Sequence, residues 1–210
     1  MIMKIVIINE TSAADRNADI LAALEGRGHT LINAGMKVNG AKPELTYIHT
    51  GFLTALFLHL GAADFVVGGC GTGQGYLNAA MQYPGVFCGH ILTPLDAWLF
   101  TQINGGNSIS LMLNQGYGWA SNVNLRMIFD ALFSVESGAG YPPHRQTSQR
   151  DSRQKLSGIS EAAHPTMPDI IKALPESFVE AALTYPGLYD ALGYDDLPAS
   201  DLKQVIAPWR

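Results

Sequence analysis

Residues Asp64–Gly75 read DFVVGGCGTGQG, and the fold turns on them. The first half is an apolar run with no polar alternation, as a strand covered on both faces requires. It ends at Cys70, and Gly71, Gly73 and Gly75 follow at alternate positions. Residues Tyr76–Tyr83 read as helix, so the glycine loop joins a buried strand to a helix N-terminus. Glycines there let backbone amides turn toward an anion, and the helix dipole favours negative charge. A thiol in such a place ionises more readily than a free one. Two readings fit the stretch: a nucleophile or base beside an oxyanion cradle, and a buried, inert cysteine before an ordinary strand-to-helix turn.

Working outward, short β-rich runs alternate with helical patterns as far as about residue 134. Lys4–Ile8, His29–Ala34, Phe65–Gly69, Val86–Ile91 and Ser108–Leu111 read as strands. Ala13–Gly26, Thr46–Leu60, Pro94–Ile103 and Ala120–Phe133 read as helices; Tyr47, Phe52, Ala55, Leu56 and Leu60 can share one apolar face. This alternation predicts an α/β, Rossmann-like three-layer sandwich on a five-stranded parallel sheet. Ligands of such sheets bind beyond the carboxyl ends of the strands, where Asn9, Glu10, Cys70 and Asn104–Asn107 are expected. From Gly138 the character changes: a Gly/Tyr-Pro-Pro break leads into the polar, basic HRQTSQRDSRQK, then into proline-punctuated helical pieces. The expected division is a core over residues 1–137 and a helical C-terminal extension over 138–210. The extension carries Ile170, Ile171, Leu174, Phe178, Leu183, Leu188 and Leu192, which need cover from the core or a neighbouring subunit. Trp98, Trp119 and Trp209 are too scattered for a stacking platform and read as core or interface residues.

Composition narrows the function classes. The 210 residues carry 13 Lys+Arg against 18 Asp+Glu, a net charge of −5, with no basic patch suited to nucleic acid. Apolar runs are broken too soon for a membrane span, and the N-terminus MIMKIVIINE reads as a first strand rather than a leader. Cys70 and Cys88 are the only cysteines, which fits a reducing, cytoplasmic setting and argues against a zinc site. No metal or other cofactor is expected. The dinucleotide fingerprint fails at Gln74 and Tyr76, no GK[ST] follows the glycines, and no arginine follows Cys70 as a cysteine phosphatase needs. What remains is proton transfer next to a carbonyl: a thiolate takes a proton from carbon while N–H donors hold the enediolate oxygen, with Thr72 adding a hydroxyl contact.

GGCGTGQGYLNAAMQYPGV (68–86) resembles the CGTGxGxxxAANKxPGI signature of the type B ribose-5-phosphate isomerase family, which includes the galactose-6-phosphate isomerase subunits. TQINGGNSISL (101–111) resembles its xxHNDANVLAL segment. KIVIINETSAADRNADILAAL (4–24) is similar to its opening strand, which ends in Asp-His. The resemblance covers about residues 3–135. It implies a metal-free aldose–ketose isomerase of sugar phosphates, working through an enediolate at a dimer interface, and so a homo-oligomer, dimer or tetramer. By position Cys70 is then the base and Gly71–Gly75 the cradle, with Gly71, Gly73 and Gly75 against the substrate. Asn104 matches the family's substrate-binding asparagine, and Glu10 stands where the family has aspartate.

Several positions depart from the family. Ile103 takes the place of the histidine associated with ring opening, Thr11 that of the histidine of the opening pair, Gly105 that of the aspartate, and Gln82 that of the lysine of AANK. His90 is a substitute for ring opening or a structural strand residue. His49, near the family's substrate-facing tyrosine region, is a second candidate or a partly exposed polar residue. Phosphate suits arginine, and the resemblance places such arginines in the C-terminal region, supplied across the dimer; Arg145, Arg150, Arg153 and Lys155 are the candidates, or a solvated basic loop. Two other classes stay open: a non-catalytic sugar-binding protein on the same scaffold, motivated by the missing histidines, and a thiol-redox or flavin module, for which Cys70 lacks a CxxC partner.

Overall fold

Every residue of Phe65–Cys70 is buried, and this strand lies at the centre of the sheet. The computed structural model describes residues 2–210. Its strands are β1 (Lys4–Asn9), β2 (Thr30–Asn33), β3 (Phe65–Cys70), β4 (Cys88–Ile91) and β5 (Ser108–Met112), in the order β2-β1-β3-β5-β4, all parallel. The sheet is the middle layer of a Rossmann-like α/β sandwich. Strand β5 inserts between β3 and β4, so Met112 pairs with Cys70 and the segment after β5 runs beside the glycine loop.

The apolar run of β1 hides a two-sided pattern. Val6 and Ile8 face one layer, formed by α2 (Tyr47–His59) and α3 (Gln74–Ala80); Ile5 and Ile7 face the other, formed by α1 (Asn17–Leu24), α4 (Pro94–Leu99) and α5 (Ser121–Phe133). Phe52, Phe57 and Phe129 are fully buried, each contributing about 1.5–3 kcal/mol of apolar transfer. Glycines permit the closest approaches. A Cβ on Gly51 would stand 2.7 Å from the Ala79 Cβ, and one on Gly68 2.2 Å from Tyr76 Cζ, so α2 meets α3 and the Tyr76 ring lies on β3 only because those side chains are missing.

After Gly138 come α6 (Gln146–Ala163), α7 (Met167–Ala173), α8 (Glu176–Leu183), α9 (Leu188–Leu192) and α10 (Asp201–Ile206). Met167, Ile171, Val179, Leu183, Leu188, Leu192 and Ile206 join the same apolar cluster as Val6 and Phe52, so these helices thicken the α2 layer. Helix α6 differs: none of its 18 residues is buried. No helix among the described residues is long and apolar enough to cross a membrane.

Two expectations need correction and a third is narrowed. The first helix opens as a 3-10 turn, Thr11–Arg16, because Ser12 and Asp15 spend their side chains on partners outside it, Glu10 and the Asn39 amide. Asn104–Asn107 do not lie at the carboxyl edge. Helix α4 runs antiparallel to the sheet and continues as a π-helical turn, Phe100–Asn104, which delivers the chain to the amino end of β5. Of the two readings for Trp119, core is excluded and interface stands: the ring is fully exposed at a loop tip, next to Ala120, whose φ of 65° turns the chain into α5.

Candidate active site

The loop after β3 has its carbonyls turned into the protein. The Cys70 carbonyl accepts from Leu113 N at 3.1 Å, and that of Gly71 from Asn114 N at 3.0 Å and Gln115 N at 2.9 Å. The Thr72 carbonyl faces His90 Nε2 at 3.0 Å, and the Gly73 carbonyl accepts from the Ser110 hydroxyl. A carbonyl can only accept, so His90 carries its proton on Nε2. With four successive oxygens held from β4, β5 and the turn after β5, the opposite face of the loop presents N–H groups. The Gly71 amide donates to Ser12 Oγ at 3.0 Å, Gly73 N to the Cys70 carbonyl at 3.2 Å, and Gln74 N to Thr72 Oγ1 at 3.3 Å. Among the described residues the amides of Thr72, Gly75 and Tyr76 have no partner within the protein. Gly73 has φ +77°, and a Cβ on it would stand 2.6 Å from His90 Nε2, so the loop's shape depends on glycine there.

Cys70 ends β3 on the α2 side of the sheet and is 6% exposed; its Sγ lies 4.0 Å from Thr72 Oγ1. Beside it, Glu10 is 3% exposed and accepts from the Ser12 hydroxyl, whose oxygen in turn takes the Gly71 amide. Asn114 Nδ2 donates to the Ser12 carbonyl at 2.6 Å. One hydroxyl therefore ties the end of β1 to the residue after the cysteine. Asn9 is fully buried at the level of Gly69, and among the described residues neither its Oδ1 nor its Nδ2 has a partner. An unpaired buried amide costs about 1–3 kcal/mol, and the site edge carries that cost.

The α2 N-terminus completes this edge. A Cβ on Gly75 would meet the Tyr47 ring at 3.1 Å, so that ring, 45% exposed, stands against the loop. His49 Nδ1 accepts the Thr46 amide at 3.0 Å in a capping box, which leaves the ring proton on Nε2. The imidazole stacks on Phe178 with centroids 5.1 Å apart, and burial lowers its pKa. Behind the loop, Tyr76 OH is fixed by Thr54 Oγ1 at 2.6 Å and Ser108 Oγ at 3.2 Å, anchoring the first turn of α3 to α2 and β5. Cys88, the second cysteine, is buried near Ser108, and burial pushes its thiol up to about 12.

The remaining candidates lie elsewhere. Asn104 precedes β5 by a full turn, and β5 is as long as the rise from Ser108 to Met112, so its backbone sits at least about 13 Å below the level of Cys70. There it lines a cavity of about 470 Å³ with Ile103, Phe87, Cys88 and Arg153. Arg153 is committed to the carbonyls of Ile103 at 2.8 Å and Gly138 at 2.6 Å, which docks α6 on the π-helical turn. Arg145, Arg150 and Lys155 are exposed on or next to α6. One protomer thus unites Cys70, Thr72, Gly71, Gly73, Gly75 and Glu10, with His49 at the adjacent helix end, and keeps Asn104, Arg145 and Arg150 apart from them. Ser12, Asn114 and Tyr47 were not legible as site residues, because each acts through a partner more than 20 residues away.

The ribose/galactose isomerase family profile matches residues 5–139. A ribose-5-phosphate isomerase from Vibrio parahaemolyticus is 34% identical over 100% of both chains, with a TM-score of 0.94. A 4-deoxy-L-threo-5-hexosulose-uronate ketol-isomerase, complexed with a tartrate, is 34% identical over 99% of both chains, with a TM-score of 0.92. The ribose 5-phosphate isomerase of Thermotoga maritima, 22% identical, covers 71% of this chain and 98% of its own at a TM-score of 0.54, a likeness of fold. No curated protein matches the chain in sequence.

Proposed function

The chain belongs to the ribose/galactose isomerase family, and on that premise we propose that it interconverts an aldose and a ketose bearing an anionic group, with Cys70 as the base. The observation that carries this reading is the one-sided loop: four carbonyls held inward, and unpartnered amides at Thr72, Gly75 and Tyr76 next to the thiol. The Cys70 thiolate takes the proton from C2 of the open-chain aldose. The C1 oxygen gains the charge, and the loop amides hold it as an enediolate. The Thr72 hydroxyl, fixed by the Gln74 amide, donates to the same oxygen. The thiol then returns its proton to C1 while the C2 hydroxyl proton passes to the C1 oxygen, so that C1 becomes a hydroxymethyl group and the C2 oxygen the ketone. Glu10 orients the sugar hydroxyls. The route uses only groups of the chain.

Asn104, Arg145 and Arg150 enter this site from a second copy in a homo-oligomer. Two features support that arrangement: the opposite sheet edges on which these groups and Cys70 lie, and the unburied α6, which exposes Leu156 and Ile159. A sugar phosphate is the proposed substrate. A uronate is the second reading, favoured by the equal, full-length identity to the uronate ketol-isomerase.

Incubation in deuterated water with ribose 5-phosphate, galactose 6-phosphate or a 5-keto-hexuronate tests the reading. The expected result is turnover of one of them with deuterium incorporated at the transferred position, and a loss of about 10²–10⁴-fold in Cys70→Ala. Exchange at the parent rate in that variant removes Cys70 from the mechanism. Tight binding without turnover in the parent turns the reading to a sugar-binding protein.

A further inference from the structure

Several basic side chains are already engaged. Arg27 pairs with Asp130 and Arg210 with Asp195, each at 2.6 Å, and Arg153 is bound to two carbonyls. Lys37, near the carboxyl edge after β2, is exposed, with no contact fixing it among the described residues. Arg16 is different. It closes the turn that follows β1, at the carboxyl edge of the sheet, and it is half-buried. Its Nε donates to the Leu113 carbonyl at 3.2 Å, and its guanidinium lies 4.5 Å from the centre of the Tyr117 ring. That ring is held by its own hydroxyl, which donates to Asp19 at 2.6 Å.

Both groups that hold Arg16 are uncharged. The neighbouring carboxylates are engaged elsewhere: Asp19 accepts from Tyr117, and Asp15 from the Asn39 amide at 2.9 Å. Among the described residues Arg16 has no ion pair, and its two outer nitrogens have no hydrogen-bond partner. A guanidinium gripped by Nε and by one face presents those nitrogens as a fork, the geometry that takes two oxygens of a phosphate or carboxylate. The turn that holds it also touches the loop, because Leu113 N donates to the Cys70 carbonyl. Backbone dimensions place Arg16 Nε within about 10 Å of that carbonyl oxygen. An open five- or six-carbon chain spans such a gap.

We propose that Arg16 binds the anionic group of the sugar in the same protomer whose Cys70 moves the proton, and so makes the enzyme selective for charged substrates. The inference takes its substrate from the isomerase reading; the oxyanion site itself stands on the geometry of Arg16.

Two measurements test it. The first is titration calorimetry with inorganic phosphate. The parent binds, Arg16→Gln loses about tenfold or more in affinity, and Arg16→Lys, which keeps a point charge but not the fork, loses about threefold. The lysine variant serves if the glutamine variant does not fold. Parent-like affinity in either folded variant overturns the proposal, as does a parent that does not bind phosphate. The second is the ratio of kcat/KM for ribose 5-phosphate over ribose, and for a 5-keto-hexuronate over a neutral ketohexose, which also separates phosphate from carboxylate. Arg16→Gln is expected to lower one of these ratios about tenfold through KM, leaving the neutral sugar unchanged; equal losses on charged and neutral sugars mark a structural role and overturn it. If the parent isomerises nothing while Arg16→Gln still loses phosphate, the isomerase reading fails and the oxyanion site stands.

Discussion

At the carboxyl edge of the sheet, one protomer holds four loop carbonyls inward, ties Glu10 to the loop through Ser12, and sets the Tyr47 ring against Gly75. At the amino edge, Asn104 is exposed on a π-helical turn beside a cavity, and α6 rests there through a few polar anchors with no buried side chain. The first edge is preorganised within a single chain. The second presents Asn104 and the exposed arginines of the α6 region well away from Cys70 in the same chain. The proposed catalytic site, built from both edges, needs two copies: the rigid half supplies Cys70 and the Arg16 anion contact, and the looser half adds Asn104.

The largest effect tests that division. Cys70→Ala and Asn104→Ala are each expected to lose more than about 10²-fold in kcat/KM. Assembled together at equal amounts, they regain roughly a quarter of parent activity, because half the dimers are mixed and each mixed dimer carries one intact site. A mixture no more active than its components would mean that the two edges never meet.

A glycine on each edge sharpens the contrast. Gly73 has φ +77° and would push a Cβ to 2.6 Å from His90; Gly105 has φ +56° and would meet Gly138 at 3.1 Å. Alanine at either position is expected to destabilise by about 1–2 kcal/mol, read from denaturant midpoints. Activity separates them: Gly73→Ala falls about tenfold beyond its stability loss, because the amides move with the loop, whereas Gly105→Ala falls by less than about threefold. Equal activity losses would place both edges under the same constraint.

What the chain discloses before folding follows the same division. The layers, the five strands and the cysteine loop are written locally, in Lys4–Ile8, Phe65–Gly69 and the alternate glycines, where each residue's neighbours in sequence are its neighbours in space. Strand order is not local. Nothing near Ser108 states that β5 will lie between β3 and β4, although that choice brings Ser110 and Leu113 to the loop. Ser12 and Arg16 are not legible in sequence because each is an ordinary polar residue until the fold sets it against Gly71 or Leu113. The edge on which Asn104 lies is hidden for a related reason: helix α4 and its π-turn carry the chain the length of the sheet, and sequence adjacency to β5 does not show which end of β5 is meant.

The two cysteines provide a smaller contrast. Cys88 is buried and its thiol raised to about 12, so it stays protonated near neutral pH. Cys88→Ala is expected to cost about 1 kcal/mol in stability and to leave kcat within twofold, while the same change at Cys70 removes turnover. An alkylating reagent that inactivates the parent when it has labelled Cys88 alone would reverse these roles.

The smallest effect lies along helix α2, whose two ends carry one histidine each. At the amino edge, His59 Nε2 donates to the Pro84 carbonyl at 2.8 Å, a bond that a neutral or a charged ring can make. At the carboxyl edge, His49 must accept the Thr46 amide through Nδ1, a bond only the neutral ring can make. Burial also lowers the His49 pKa from 6.5. The unfolded chain therefore takes up this proton near its ordinary value, and the folded chain only at lower pH. In that window the unfolded state holds more protons, so stability rises with pH. The His49 contribution is complete above about 6.5 and is lost as the pH falls through 6.5 toward the lowered value. Thermal midpoints between pH 5 and pH 8 are expected to slope upward in the parent and less so in His49→Gln, relative to its own value at pH 8, by an amount kept small by the ring's partial exposure. A slope unchanged in that variant would assign the acid sensitivity to another group and leave the α2 cap without a part in it.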